Sequence, residues 1–286
     1  FAVVPFVALA LVPNFDWGWR VLFVMGALGG LIIGFTRRGL PPSIHWLVGE
    51  GRLDEAEATL RAAESLAEER LGQSLGPPGV PPARSDTLHR SDFQTLLSSP
   101  LLGRLVLLGA LWFVYYVGNY GWLTLAADLF SSHGFSLKQS IGSLSLTGLG
   151  FVAGSIAAVY SSDRVDRRRV AAVLGVIWAA TLLGIGYYAS EITIPILGFI
   201  ASFTIGFIIP VLYTITGENF PTRVRATGVS LSDGFGHLGG AFCGQIILGV
   251  EGIYGFHGAF VSMAITGLIA AVLVSLIRKS PGETLD

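Results

Sequence analysis

Residues 194–216, IPILGFIASFTIGFIIPVLYTIT, decide the class of the fold. These twenty-three residues carry no charged side chain. As a helix rising 1.5 Å per residue they reach about 35 Å, enough to cross a hydrocarbon core about 30 Å thick. Pro210 lies inside the run; it removes a backbone donor and predicts a kink. Tyr213, Thr214 and Thr216 follow it, placed to support the freed carbonyls or to reach a cavity.

Apolar runs of similar length recur at 20–36, 103–128, 140–161, 170–189, 227–250 and 258–277, giving seven full spans. The opening stretch 1–12 is too short to span alone and reads as the tail of a helix whose start is missing. It has neither a basic leader nor a cleavage site, so it does not read as a signal peptide. Composition agrees with a chain built for lipid: 52% of residues are hydrophobic and 13% charged, where soluble domains run near 25%. The single cysteine, Cys243, excludes an intramolecular disulfide framework. The spans exclude a soluble nucleic-acid-binding protein.

The basic residues sort by side. If the spans alternate, sixteen of eighteen fall on one face, and only Arg20 and Lys138 on the other. The positive-inside rule makes the rich face cytoplasmic, with the central loop and the C-terminus on that side. The loop at 37–100 is long. Leu53, Ala56, Leu60 and Ala63 recur at helical spacing among charges and predict an amphipathic helix over 51–71. GPPGVPP at 76–82 predicts a linker, and 91–99 a short helix on the membrane face. The organisation expected is therefore 1–36 as the end of one helical half, 37–100 as the central loop, and 101–286 as a complete six-helix half.

Four motifs carry a resemblance. PPSIHWL at 41–47 followed by GRLDEA at 51–56, ENFPTRVRATG at 218–228, DRVDRRR at 163–169, and the closing PGETLD at 281–286 resemble segments of sugar-porter-like transporters of the major facilitator superfamily. Asp166 stands where that family has glycine. The resemblance implies an all-α membrane protein with the major facilitator fold, running from the end of its fifth helix through its twelfth. It further implies a secondary active transporter of a small organic solute, an organic or aromatic acid or a sugar. Transport would be by alternating access, with proton symport and no cofactor or metal, in a bacterial inner membrane. The missing N-terminal half would be the partner of the half seen here.

Candidate site residues fall in three groups. Asp233 and His237 are i and i+4 on one helix, about 9 and 15 Å in from Thr227. Ionisable groups at that depth face a cavity or proton path, or else form a packing pair near the helix entrance. Trp112, Tyr115, Tyr116 and Asn119 crowd the 103–128 span, and with Tyr213 they suit a solute cavity. Tyr120 and Trp122 suit an outer aromatic belt, and Gly118 and Gly121 would let the helix open locally. Asp163, Arg164, Arg167, Arg168, Glu218 and Arg225 lie at neighbouring cytoplasmic helix ends. There they form a gating network of ion pairs, or serve only as topology-setting charges.

Rival classes are a membrane enzyme, a channel and a transport-inactive receptor of the same fold. The five histidines are scattered, and no nucleophile elbow, zinc motif or phosphate loop is present. No filter loop or repeated charge ring marks a channel.

Overall fold

The computed structural model describes residues 3–37, 39, 41, 44–49, 51–76, 92–98, 101–162, 164–221 and 224–277. The described residues are helical, and packing divides the chain into two units, 1–19 with 89–286, and 20–88. That division follows contact, a different criterion from the expected topological cuts at 36 and 100.

The smaller unit holds most of α2 (Gly18–Arg37), then α3 (Ile44–Gly49) and α4 (Leu53–Leu71). The amphipathic pattern expected over 51–71 is α4, and its Ala56 is buried, as is Leu47 of α3. Gly72, at φ +66, ends α4 with its N–H donating to Glu68 O; a left-handed residue here favours glycine.

The larger unit contains α1 (Val3–Leu11), α5 (Asp92–Leu96), α6 (Leu101–Tyr120) and a π-helical turn at Gly121–Leu125. It continues with α7 (Ala126–Ser132), α8 (Leu137–Ser161), α9 (Arg167–Tyr188), α10 (Thr193–Glu218) and α11 (Arg225–Leu276). The short helix expected over 91–99 is α5. The π turn falls at Gly121, where the sequence predicts local opening. Ser136 and Gln139 form a capping box at the start of α8. Asp166 caps α9 by accepting from the N–H groups of Arg168 and Arg169, which gives a physical use to the residue standing at the family's glycine.

Six described helices are long and apolar enough to cross a membrane. The seven expected spans are accommodated because α11 has 52 residues, about 78 Å of helix and more than twice a hydrocarbon core. It breaks at Gly255 (φ 67, ψ −166), a conformation open only to glycine. The sequence ranges 227–250 and 258–277 are its two arms.

Packing rests on close backbone approach. A Cβ on Gly150 or Gly154 of α8 would collide with the α10 carbonyls of Phe199 or Phe203. One on Gly239 of α11 would collide with the Phe113 backbone of α6. Small residues at these crossings are what helices in lipid use in place of a hydrophobic driving force. Trp122 corrects the belt reading. It is 1% exposed, and its Nε1 donates to Ser202 Oγ at 3.1 Å. The indole faces α10 instead of a membrane surface, and Ser202 supplies the acceptor that its buried N–H needs.

Candidate functional site

The site grows from one face of α6. Trp112, Tyr116 and Tyr120 recur every four residues, one above another. Glycines at 236, 239 and 240 let α11 lie against this face, since a Cβ on each would strike Trp112, Phe113 or Tyr120. This approach brings Asp233 and His237 beside the rings. The third wall is α10, where Tyr213 and Thr216 follow Pro210.

Asp233 is the centre. Its Oδ1 accepts from the Tyr116 hydroxyl at 2.8 Å and from the Tyr213 hydroxyl at 3.0 Å, so one carboxylate ties three helices together. Phenol donors on a carboxylate are charge-assisted and stronger than neutral pairs. His237 Nδ1 lies 3.0 Å from the Asp233 carbonyl oxygen and 3.7 Å from Asp233 Oδ2. Its ring meets Tyr116 edge-on at 4.7 Å and Tyr120 at 6.1 Å between centroids. Trp112 backs the cluster, 4.7 Å from the Tyr213 ring and 5.2 Å from that of Tyr116, with its Nε1 donating to Thr216 Oγ1 at 2.9 Å. The Trp112 and Tyr116 side chains are buried, while Tyr213 and His237 are exposed. The inner pair therefore shapes a surface that the outer pair presents.

Two of the expected residues lie deeper: the buried Tyr115 ring packs on those of Trp112 and Tyr116, at 6.0 and 5.7 Å between centroids, and Asn119 is buried. Tyr115 and Asn119 lie on a different side of α6, turned into the bundle. Tyr115 borders an interior cavity with Trp178 of α9, Thr204 of α10 and Thr266 of α11. Among the described residues, the Tyr115 hydroxyl and Asn119 Oδ1 have no hydrogen-bond partner. A larger apolar cleft lies between α1 and α8, beside Trp122 and Phe151. Neither space includes Asp233, whose side chain is 22% exposed beside the more open His237. Tyr120 belongs to the Asp233 cluster although the sequence reading leaves it to the aromatic belt. Its spacing of four from Tyr116 is the signal that places it.

The charged helix ends form a second group. Arg167 Nη1 and Glu218 Oε1 are 2.5 Å apart and join α9 to α10. Arg168 Nη1 donates to the Ile277 carbonyl, and Arg225 Nε to that of Phe220 at 3.4 Å. Arg104 Nη1 adds a bond to Asn219 O at 3.0 Å, which sequence reading did not single out. The Arg164 side chain is exposed. Asp163 lies outside the described residues, as do Arg223, most of the 76–82 linker and the closing 281–286 motif.

Comparison with known proteins agrees with this architecture. The family described as Sugar (and other) transporter matches residues 1–281. A niacin transporter of Acinetobacter baylyi is 27% identical, over 99% of this chain and 64% of its own length. A putative metabolite transport protein of Bacillus subtilis is 28% identical, over 85% of this chain and 53% of its own length. A facilitated trehalose transporter of Bombyx mori is 24% identical, over 86% of this chain and 51% of its own length. The chain thus spans between half and two-thirds of the length of these relatives. With its membrane-crossing helices it is part of an integral, multi-pass membrane protein. On this match it belongs to the sugar (and other) transporter family of the major facilitator superfamily.

Proposed function

We propose that the intact protein carries a small organic solute across the membrane by proton-coupled symport, with Asp233 and His237 handling the proton. One observation carries this reading: a carboxylate inside an apolar helix holds phenols from two other helices. An ionisable group at such depth is expensive, and it persists where it faces a cavity or a proton path. Trp112, Tyr116 and Tyr213 form the solute-facing wall in this account. Tyr115 and Asn119 are second contacts, reached when α6 shifts about its π turn. The opposite wall belongs to an N-terminal half, and the two halves rock about a midplane site. In this reading 1–36 ends that N-terminal half, 37–100 links the halves, and 101–286 is the complete six-helix half.

Relatives named for niacin and for trehalose transport support offering aromatic acids and sugars as trial solutes. The test is uptake into proteoliposomes of the intact protein, with hexoses, aromatic acids and short carboxylates offered with and without a pH gradient. Accumulation of one class that depends on the gradient supports symport. Gradient-independent uptake makes it a facilitator, and no uptake of any class favours a receptor.

Orientation follows the positive-inside asymmetry, with the central loop and C-terminus cytoplasmic in a bacterial inner membrane. The Arg167–Glu218 pair then acts as a cytoplasmic latch, released when the helices rock, with Arg164, Arg168, Arg225 and Asp163 around it. Glu218→Gln is expected to slow uptake several-fold while insertion is unchanged. The charge swap of Arg167→Glu with Glu218→Arg is expected to recover part of it. Both side chains are partly exposed, so their effect on stability is small. Unchanged uptake in Glu218→Gln would leave these charges a topological role only.

A further inference from the structure

The hydrogen bonds of the Asp233 cluster determine which atom a solute meets first. A carbonyl oxygen only accepts, so the 3.0 Å contact between His237 Nδ1 and the Asp233 carbonyl requires a hydrogen on Nδ1. Asp233 Oδ2 lies 3.7 Å from the same nitrogen, outside hydrogen-bond reach. In the neutral imidazole the other nitrogen, Nε2, is therefore an acceptor. It belongs to the more open of the two groups: the His237 side chain is 51% exposed and that of Asp233 22%. Asp233 Oδ1 is already answered within the cluster by two phenols. The donors of Trp112, Tyr116 and Tyr213 are likewise committed. The charged or titratable groups facing His237 are Asp233 on its own helix and Tyr116 and Tyr120 on α6, with Tyr213 of α10 reaching it through Asp233. Among the described residues none of these is a cation, so with neutral His237 and an ionised Asp233 this wall of the site carries one negative charge.

We infer that His237 Nε2 takes up the coupled proton and thereby becomes the hydrogen-bond donor for an aromatic monocarboxylate. This rests on the symport reading above and names its solute class. One proton from solution adds to Nε2, the cluster charge goes from negative to zero, and the exposed acceptor becomes a charge-assisted N–H donor. A carboxylate can then bind at His237 with its ring against Tyr213 and Tyr120. Solute and proton enter together because each makes the other's site. A cationic solute would show the opposite linkage, since the proton would expel it.

The test is equilibrium binding of benzoate and of its neutral isostere benzamide to the purified intact protein, from about pH 8 to about pH 5.5, the range in which histidine changes charge. Benzoate affinity is expected to rise roughly tenfold or more as pH falls, about 1.4 kcal/mol per decade, while benzamide stays flat. His237→Gln is expected to abolish the rise. His237→Lys, with a fixed positive charge, is expected to bind benzoate at the alkaline end without it. Asp233→Asn is expected to keep benzoate binding pH-dependent. A pH-flat wild-type affinity, no benzoate binding at any pH, or a pH dependence lost in Asp233→Asn and kept in His237→Gln would each overturn the inference. Gradient-driven uptake of a non-carboxylate alongside flat benzoate binding would leave symport standing and remove only this solute class. Benzoate binding that follows pH without any flux would do the reverse.

Discussion

Asp233→Asn in the intact protein is expected to reduce gradient-driven solute uptake by about two orders of magnitude, roughly 2.7 kcal/mol at 1.36 kcal/mol per decade, while leaving the protein folded. The substitution keeps shape and size, and the amide oxygen can still accept from Tyr116 and Tyr213. What is lost is the negative charge facing His237. The protein should therefore elute as the wild type does and insert normally. Uptake at wild-type level would show that the carboxylate serves only to pin α6 and α10 to α11. Collapse of the folded protein would show the same from the other side, with the charge-assisted bonds as structural ties.

The second large effect is expected in packing. Gly239→Val should destabilise the protein by roughly 3 kcal/mol, at the upper end for overpacking, because the atoms in its way are the Phe113 backbone and not a side chain that can swing aside. Gly234, on the same arm of α11, is the internal control: a Cβ there meets nothing within 4 Å. Gly234→Val should change stability by no more than about 0.5 kcal/mol. Thermal unfolding of both variants in one detergent checks the pair. Equal melting temperatures would show that α6 and α11 are not held at backbone contact distance. The contrast bears on function because the same approach carries Asp233 and His237 to Tyr116 and Tyr120.

Much of this was legible in the sequence, for identifiable reasons. Span positions follow from apolar run length, and α10 covers the 194–216 stretch. The two arms of α11 are separate apolar runs in the sequence, 227–250 and 258–277, each long enough to cross alone. Asp233 and His237 were legible because an i, i+4 pair of ionisable groups is rare in such a helix. The sharing of Asp233 between Tyr116 and Tyr213 was not. Tyr213 is twenty residues away on a different helix, and sequence spacing carries no information across the break between them. The choice between neighbours on α6 was also hidden. Tyr115 and Tyr116 differ by about 100° around the axis, and only the positions of α9, α10 and α11 decide which meets Asp233 and which turns inward. Trp122 was misread because belt and buried tryptophans share a composition; the Ser202 acceptor that separates them lies eighty residues away.

The most direct test of coupled transport runs the machine on solute alone. Proteoliposomes of the intact protein, at equal pH on both sides and with the membrane potential clamped, receive an inward gradient of the solute that the uptake panel identifies. An internal pH dye then reports proton movement. Symport through the Asp233 cluster predicts acidification of the lumen that starts with solute entry, scales with it, and is absent in Asp233→Asn. Solute entering at full rate over a flat pH trace would contradict the account, leaving a facilitator whose buried carboxylate holds helices together and moves no proton.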